Sequence, residues 1–147
     1  FAYFNARQHK HSLETAINTL GFLTDRLFQN GYLNIVGNRG WWSRGQPCPD
    51  YDQQPVDAAP IALACGEAFR ATGRREYLEQ AKSACEWYFG KNINRLSLYD
   101  YTSGGCYDAL VPAGVNLNQG AEAVLSLCLA MQLMEDLGVQ VQGRPIV

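Results

Sequence analysis

Residues 54–73 read QPVDAAPIALACGEAFRATG, and from Val56 to Phe69 the stretch is almost continuously apolar and small. Pro55 falls in a first turn, where its missing N–H costs nothing, and Gly73 follows the last apolar position, where left-handed backbone closes a helix. The pattern predicts a helix from about Gln54 to Thr72, kinked or ragged near Pro60. A helix apolar on every side is buried on every side, so other helices must surround it.

Working outward, three more segments carry a helical period, and none of useful length alternates with period two. Ser12 is placed to cap a helix striped by Leu13, Ile17, Leu20 and Leu27 that stops at Asn30-Gly31. A third helix runs from Arg75 to Phe89, with Tyr77, Ala81, Ala84, Cys85 and Tyr88 on one face and charge on the other. The fourth, Asn118 to Leu137 ahead of Gly138, is apolar around most of its circumference and should be buried like the second. Only Thr72-Gly73-Arg74 separates helices two and three, which makes them an antiparallel hairpin. The predicted fold is all-α: antiparallel helical hairpins forming an arc of an α/α toroid, with buried helices inside and amphipathic ones outside. By alternation, the two long connections, Gly31 to Gln53 and Gly90 to Leu117, lie on one rim. Loops of that length inside a compact unit are usually functional.

Composition narrows the function classes. The 147 residues hold 12 Lys plus Arg against 14 Asp plus Glu, a net charge of −2, and are 47% apolar. That suits one packed helical domain over residues 1–147. The cations are scattered, so the basic footprint of a nucleic-acid or anionic-membrane binder is missing. The longest apolar run, Ala123 to Met131, falls far short of the ~20 residues that cross a bilayer. The chain opens on Phe1, without an initiator Met or a signal-like start, and is expected to be the C-terminal part of a longer polypeptide. Cysteines are odd in number, and Cys65, Cys85 and Cys128 lie inside apolar helical patterns, which predicts reduced thiols and a cytoplasmic protein. Cys48 and Cys106 both fall in loops. A zinc site would need closer spacing and two more ligands, so two unconnected thiols are expected, with no metal and no cofactor.

The chemistry-bearing residues gather on the rim. The first loop carries Gly37-Asn38-Arg39-Gly40-Trp41-Trp42 and then Gln53-Gln54-Pro55-Val56-Asp57. The second carries Gly104-Gly105-Cys106-Tyr107-Asp108 and then Asn116-Leu117-Asn118-Gln119-Gly120-Ala121-Glu122. Each supplies aromatic rings, amides and one carboxylate in the first turn or so of an apolar helix. Sugars call for that mixture, because their C–H faces stack on rings while their hydroxyls need fixed donors and acceptors. Asp57 and Glu122 are the catalytic candidates, since desolvation raises a carboxyl pKa, a helix N-terminus lowers it, and a pair pushed apart suits glycosidic acid/base work. Asn38, Trp41, Trp42, Gln53, Gln54, Tyr107, Asp108, Asn116, Asn118 and Gln119 are the substrate-binding candidates. A plainer reading stands beside this one: first-turn acids complement the helix dipole, amides cap, and large aromatics anchor loops. His9 and His11 should be solvent-exposed, and Trp87 and Tyr88 belong to the core or a helix interface. No phosphate loop, nucleophile elbow or His-paired nucleophile is present.

At these loops the chain resembles the helical domains of the six-hairpin glycosidase-like group, in particular the helical region that follows group 1 glycosyltransferase modules in bacteria. The resemblance is carried by Gly37-Asn38-x-Gly40-Trp41, Gln53-Gln54-Pro55-Val56-Asp57-Ala58, Thr102-x-Gly104-Gly105-Cys106-Tyr107-Asp108 and Gly114-Val115-Asn116-x-Asn118-Gln119-Gly120-Ala121-Glu122, over about residues 37 to 130. It implies an α/α toroid and a carbohydrate context, in which such a domain binds or positions a glycan. A full six-hairpin ring has twelve helices, so the four readable here amount to about one third.

Three functions follow as expectations. The first is a carbohydrate-active domain of a glycosyltransferase-type protein. The second is a glycoside hydrolase using Glu122 and Asp57 as acid and base, for which a carboxyl separation of about 6.5–9.5 Å indicates inversion and about 5–5.5 Å retention. The third is a helical interaction module without a ligand. The partners expected are a carbohydrate and, over the uncovered faces of the buried helices, either a second copy of the chain or an upstream glycosyltransferase module in the same polypeptide.

Overall fold

The computed structural model describes residues 1–143. Among them the chain forms helices α1 (Ala2–Arg7), α2 (Lys10–Leu27), α3 (Pro55–Thr72), α4 (Arg75–Glu86) and α5 (Ala121–Asp136), with a hairpin of strands β1 (Ala109–Val111) and β2 (Gly114–Asn116). The molecule is mostly helical, as the apolar periods predict. No helix among the described residues is long and apolar enough to cross a membrane.

The central helix is α3, and α4 and α5 pack on it far more extensively than α1 and α2 do. Small side chains permit this. Ala58, Ala62, Cys65 and Ala68 are fully buried along it. A Cβ on Gly66 would sit 2.6 Å from a Leu133 methyl, so the absence of one lets α5 approach closely. Pro55 opens α3 and Gly73 closes it at φ 69°, its N–H bonding to the Phe69 carbonyl at 2.8 Å. Pro60 lies on the exposed side and the helix runs through it unbroken. It still leaves the Val56 carbonyl without its helical partner.

Several expectations change. The short α1 is too brief to show a period. The cap of α2 is His9, whose Nδ1 accepts the Ser12 N–H at 3.3 Å, in place of Ser12 itself. The second long connection contains the β1–β2 hairpin, in register Leu110 opposite Val115, so the fold is not purely α. Three-residue strands are too short for alternation to be legible. The expected burial of the fourth helix also needs correction, because α5 buries Ala123, Leu127, Ala130, Leu133 and Met134 while Leu125 and Leu129 are 63% and 52% exposed. Cys128 is exposed on the same helix. The other thiols follow expectation: Cys65 and Cys85 are buried and Cys48 and Cys106 are unconnected. Burial pushes the Cys65, Cys85 and Cys106 thiols up to about 12. Trp87 and Tyr88 are core residues without exposure, and His9 and His11 are exposed.

One buried amide organises the loops. Gln53 has no solvent exposure. Its N–H donates to the Leu110 carbonyl at 3.1 Å, and the Leu110 N–H returns a bond of 2.9 Å. Its Nε2 donates to Asn34 Oδ1 at 2.7 Å and its Oε1 accepts the Trp87 indole N–H at 3.1 Å. Two residues on, the Pro55 carbonyl accepts the Tyr88 hydroxyl at 2.8 Å. The start of α3 is thereby tied to the first loop, the end of α4 and β1. The first loop is closed by Gly37, where any Cβ would overlap the Tyr51 backbone. Replacing Gln53 by Leu strands the Asn34 oxygen and the Trp87 N–H in the interior. A loss of about 3 kcal/mol of stability is expected in urea denaturation, against a much smaller loss for an exposed control such as Gln29→Leu.

Candidate functional site

A recess of about 260 Å³ lies between the N-terminal ends of α3 and α5, lined by Gln54, Pro55 and Val56 on one side and Asp108 with Gly120–Ala123 on the other. Asp57 occupies the first turn of α3 and Glu122 the first turn of α5, as the sequence predicts. Glu122 lines the recess and Asp57 adjoins Val56 at its wall. Partial burial, and secondarily the Glu122 charge, hold the Asp57 carboxyl above the usual Asp value.

Asp108 ties the residue before α5 to the start of β1. Gly120, the residue before the helix, has no side chain to cap with. Asp108 Oδ1 accepts the Gly120 N–H at 2.7 Å, and Oδ2 accepts Asn118 Nδ2 at 2.8 Å. The Asn116 Oδ1 accepts the Asn118 N–H at 3.1 Å, a local turn that presents Asn118 to Asp108. Gln119 faces the second loop: its Nε2 donates to Asp100 Oδ2 at 2.8 Å and its Oε1 accepts the Ser103 hydroxyl at 3.0 Å. A Cβ on Gly105 would collide with the Gln119 amide oxygen, which accounts for glycine there. These polar atoms first serve the protein.

The remaining candidates separate. Gln53, expected at the substrate, is wholly interior, with its amide bonded to Asn34 and Trp87. Tyr107 is half-buried against the core. Asn38 is exposed, its N–H bonded to the Asp52 carbonyl at 3.0 Å. Trp41 is 94% exposed. Trp42 lines a different recess, of about 630 Å³, with Phe22 and Arg26 of α2 and residues 43–46. Asn38 and Trp41, expected on the same rim as Asp57 and Glu122, line neither of these two recesses, and the first loop meets α2 at Trp42.

Sequence reasoning missed Asp100, although an Asp whose carboxylate takes the N–H two residues on is a recognisable turn signal. The Ser103 hydroxyl, the Thr102 N–H and the Gln119 amide hold its carboxyl down at about 2. It also passed over Arg26, four residues after Phe22 and on the same helical face. Among the described residues no group of His, Cys, Asp and Glu converges in a way that could hold a metal ion.

Comparison of the sequence with protein-family models and with curated proteins finds no match.

The Asp100 cluster makes a prediction with a definite sign. A folded pKa of about 2 against 3.8 for an ordinary Asp means that its contribution is complete above that ordinary value and is lost as pH falls towards 2. Urea midpoints measured from pH 7 to pH 2 should show Asp100→Asn less stable at pH 7, with the gap to the native protein closing through that acid window.

Proposed function

We propose that this chain is a carbohydrate-active helical domain, the C-terminal part of a glycosyltransferase-type protein, which engages a glycan at the N-terminal ends of α3 and α5. The observation that carries this reading is the coupling of Asp57 and Glu122, one from each helix, beside a recess furnished with the Gln54 amide and the Asp108 carboxylate. Two carboxylates from different helices accept hydrogen bonds from sugar hydroxyls on both sides of the recess. In this reading the hairpins are an arc of an α/α toroid, and the rest of the ring, from the same polypeptide or a second copy, covers the outward face of α5 at Leu125 and Leu129.

A second reading, glycoside hydrolysis, draws on the raised Asp57 carboxyl. A carboxyl held above its usual value by burial, and secondarily by the Glu122 charge, suits the acid of such a pair, with Glu122 in the role of base or nucleophile.

A glycan array followed by calorimetry on the full-length protein tests both. The first reading expects saccharide binding that weakens about tenfold or more in Asp57→Asn combined with Glu122→Gln, the loss of two charge-assisted hydrogen bonds. Hydrolysis expects, in addition, a rate that falls about a hundredfold or more in either single variant. A protein with no saccharide affinity, or one indifferent to both substitutions, contradicts the site.

A further inference from the structure

The recess walled by Trp42 is chemically unlike the one between Asp57 and Glu122. Two cations line it, Arg26 from α2 and Arg44 from the first loop, together with the rings of Phe22 and Trp42. The Arg26 guanidinium lies over the Phe22 ring, 3.7 Å from its centroid, and one of its N–H groups donates to the Phe22 carbonyl at 2.8 Å. That stacking and hydrogen bond hold the guanidinium against the Phe22 ring at the wall of the recess. Ion pairs among the described arginines involve Arg39, Arg70 and Arg74, and neither Arg26 nor Arg44. The Trp42 indole N–H donates to the Gln46 carbonyl at 3.0 Å, which fixes the ring as a wall of the recess while 36% of the residue remains exposed.

A flat apolar face beside two guanidinium groups that no carboxylate among the described residues pairs matches a ligand unit that has both an apolar face and a negative charge. Ser43 and Gln46 add hydrogen-bonding side chains at the same wall, as hydroxyls require. We propose that this recess binds the acidic unit of a glycan, a sugar ring bearing a carboxylate or sulfate, stacked on Trp42 and held by Arg26 and Arg44. The inference rests on the reading of the ligand as a glycan. It adds that the glycan is anionic and that its charge goes here, because the other recess, with Asp57, Asp108 and Glu122, repels a negative group.

Calorimetry on the full-length protein, with a galacturonate hexamer and a sulfated glycosaminoglycan hexasaccharide as acidic probes and a glucose hexamer as the neutral one, tests the assignment. An acidic probe should bind more tightly than the neutral one, with affinity that falls as salt rises. Arg26→Gln with Arg44→Gln should weaken it about tenfold or more, and Arg26→Lys with Arg44→Lys should restore part of the loss. Both arginines are exposed, so the folded state should survive the changes. Equal binding of acidic and neutral hexamers, or acidic binding that ignores the arginines and disappears in Asp57→Asn with Glu122→Gln, overturns the assignment and leaves the glycan reading standing. Absence of binding by every saccharide overturns both.

Discussion

The buried side chain of Gln53 is the constraint on which the rest of the structure depends. A primary amide without solvent must find partners for its donors and its acceptor, because an unpaired buried polar group costs about 1–3 kcal/mol. Gln53 finds them on Asn34 and Trp87 while its backbone pairs with Leu110. Three segments far apart in sequence therefore meet at the residue that leads into α3. The N-terminus of α3 has one permitted place relative to β1, and β1 leads into Asp108 on one side and the hairpin on the other.

From that anchor the position of the second carboxylate follows. Asp108 precedes β1 by one residue, and its carboxylate holds the Gly120 N–H and the Asn118 amide. The first turn of α5 is thus fixed to the same strand that Gln53 fixes to α3. Glu122 lines the recess and Asp57 follows its wall residue Val56 because both helix starts hang from β1. The close passage of α5 over Gly66 keeps the two helices together along their length. Burial of Asp57 in this framework, and secondarily the Glu122 charge, raise the Asp57 carboxyl.

Much of this was legible in the sequence, for identifiable reasons. The α3–α4 hairpin could be read from Pro55, Gly73 and a two-residue link, since proline and glycine act through local backbone geometry. The first-turn positions of Asp57 and Glu122 could be read for the same reason. What depended on distant partners was hidden. Gln53 and Gln54 look equivalent in sequence, yet Gln53 is interior and Gln54 lines the recess, because only the first meets Asn34 and Trp87. The outward face of α5 reads as apolar core, but burial is set by the neighbours available, and Leu125 and Leu129 remain more than half exposed. The separation of Trp41 and Trp42 from the carboxylates depends on how the first loop folds against α2, which no period records.

The central claim is that Asp57 and Glu122, brought from two helices, act on each other across one site. Residue-resolved carbon NMR titration of the Asp57 carboxyl in the native protein and in Glu122→Gln measures this directly. Asp57 is expected to titrate above the ordinary 3.8 of an aspartate, and Glu122→Gln should bring it part of the way down, leaving the share due to burial. An Asp57 that titrates at the ordinary value, or one that does not move when the Glu122 charge is removed, contradicts the account.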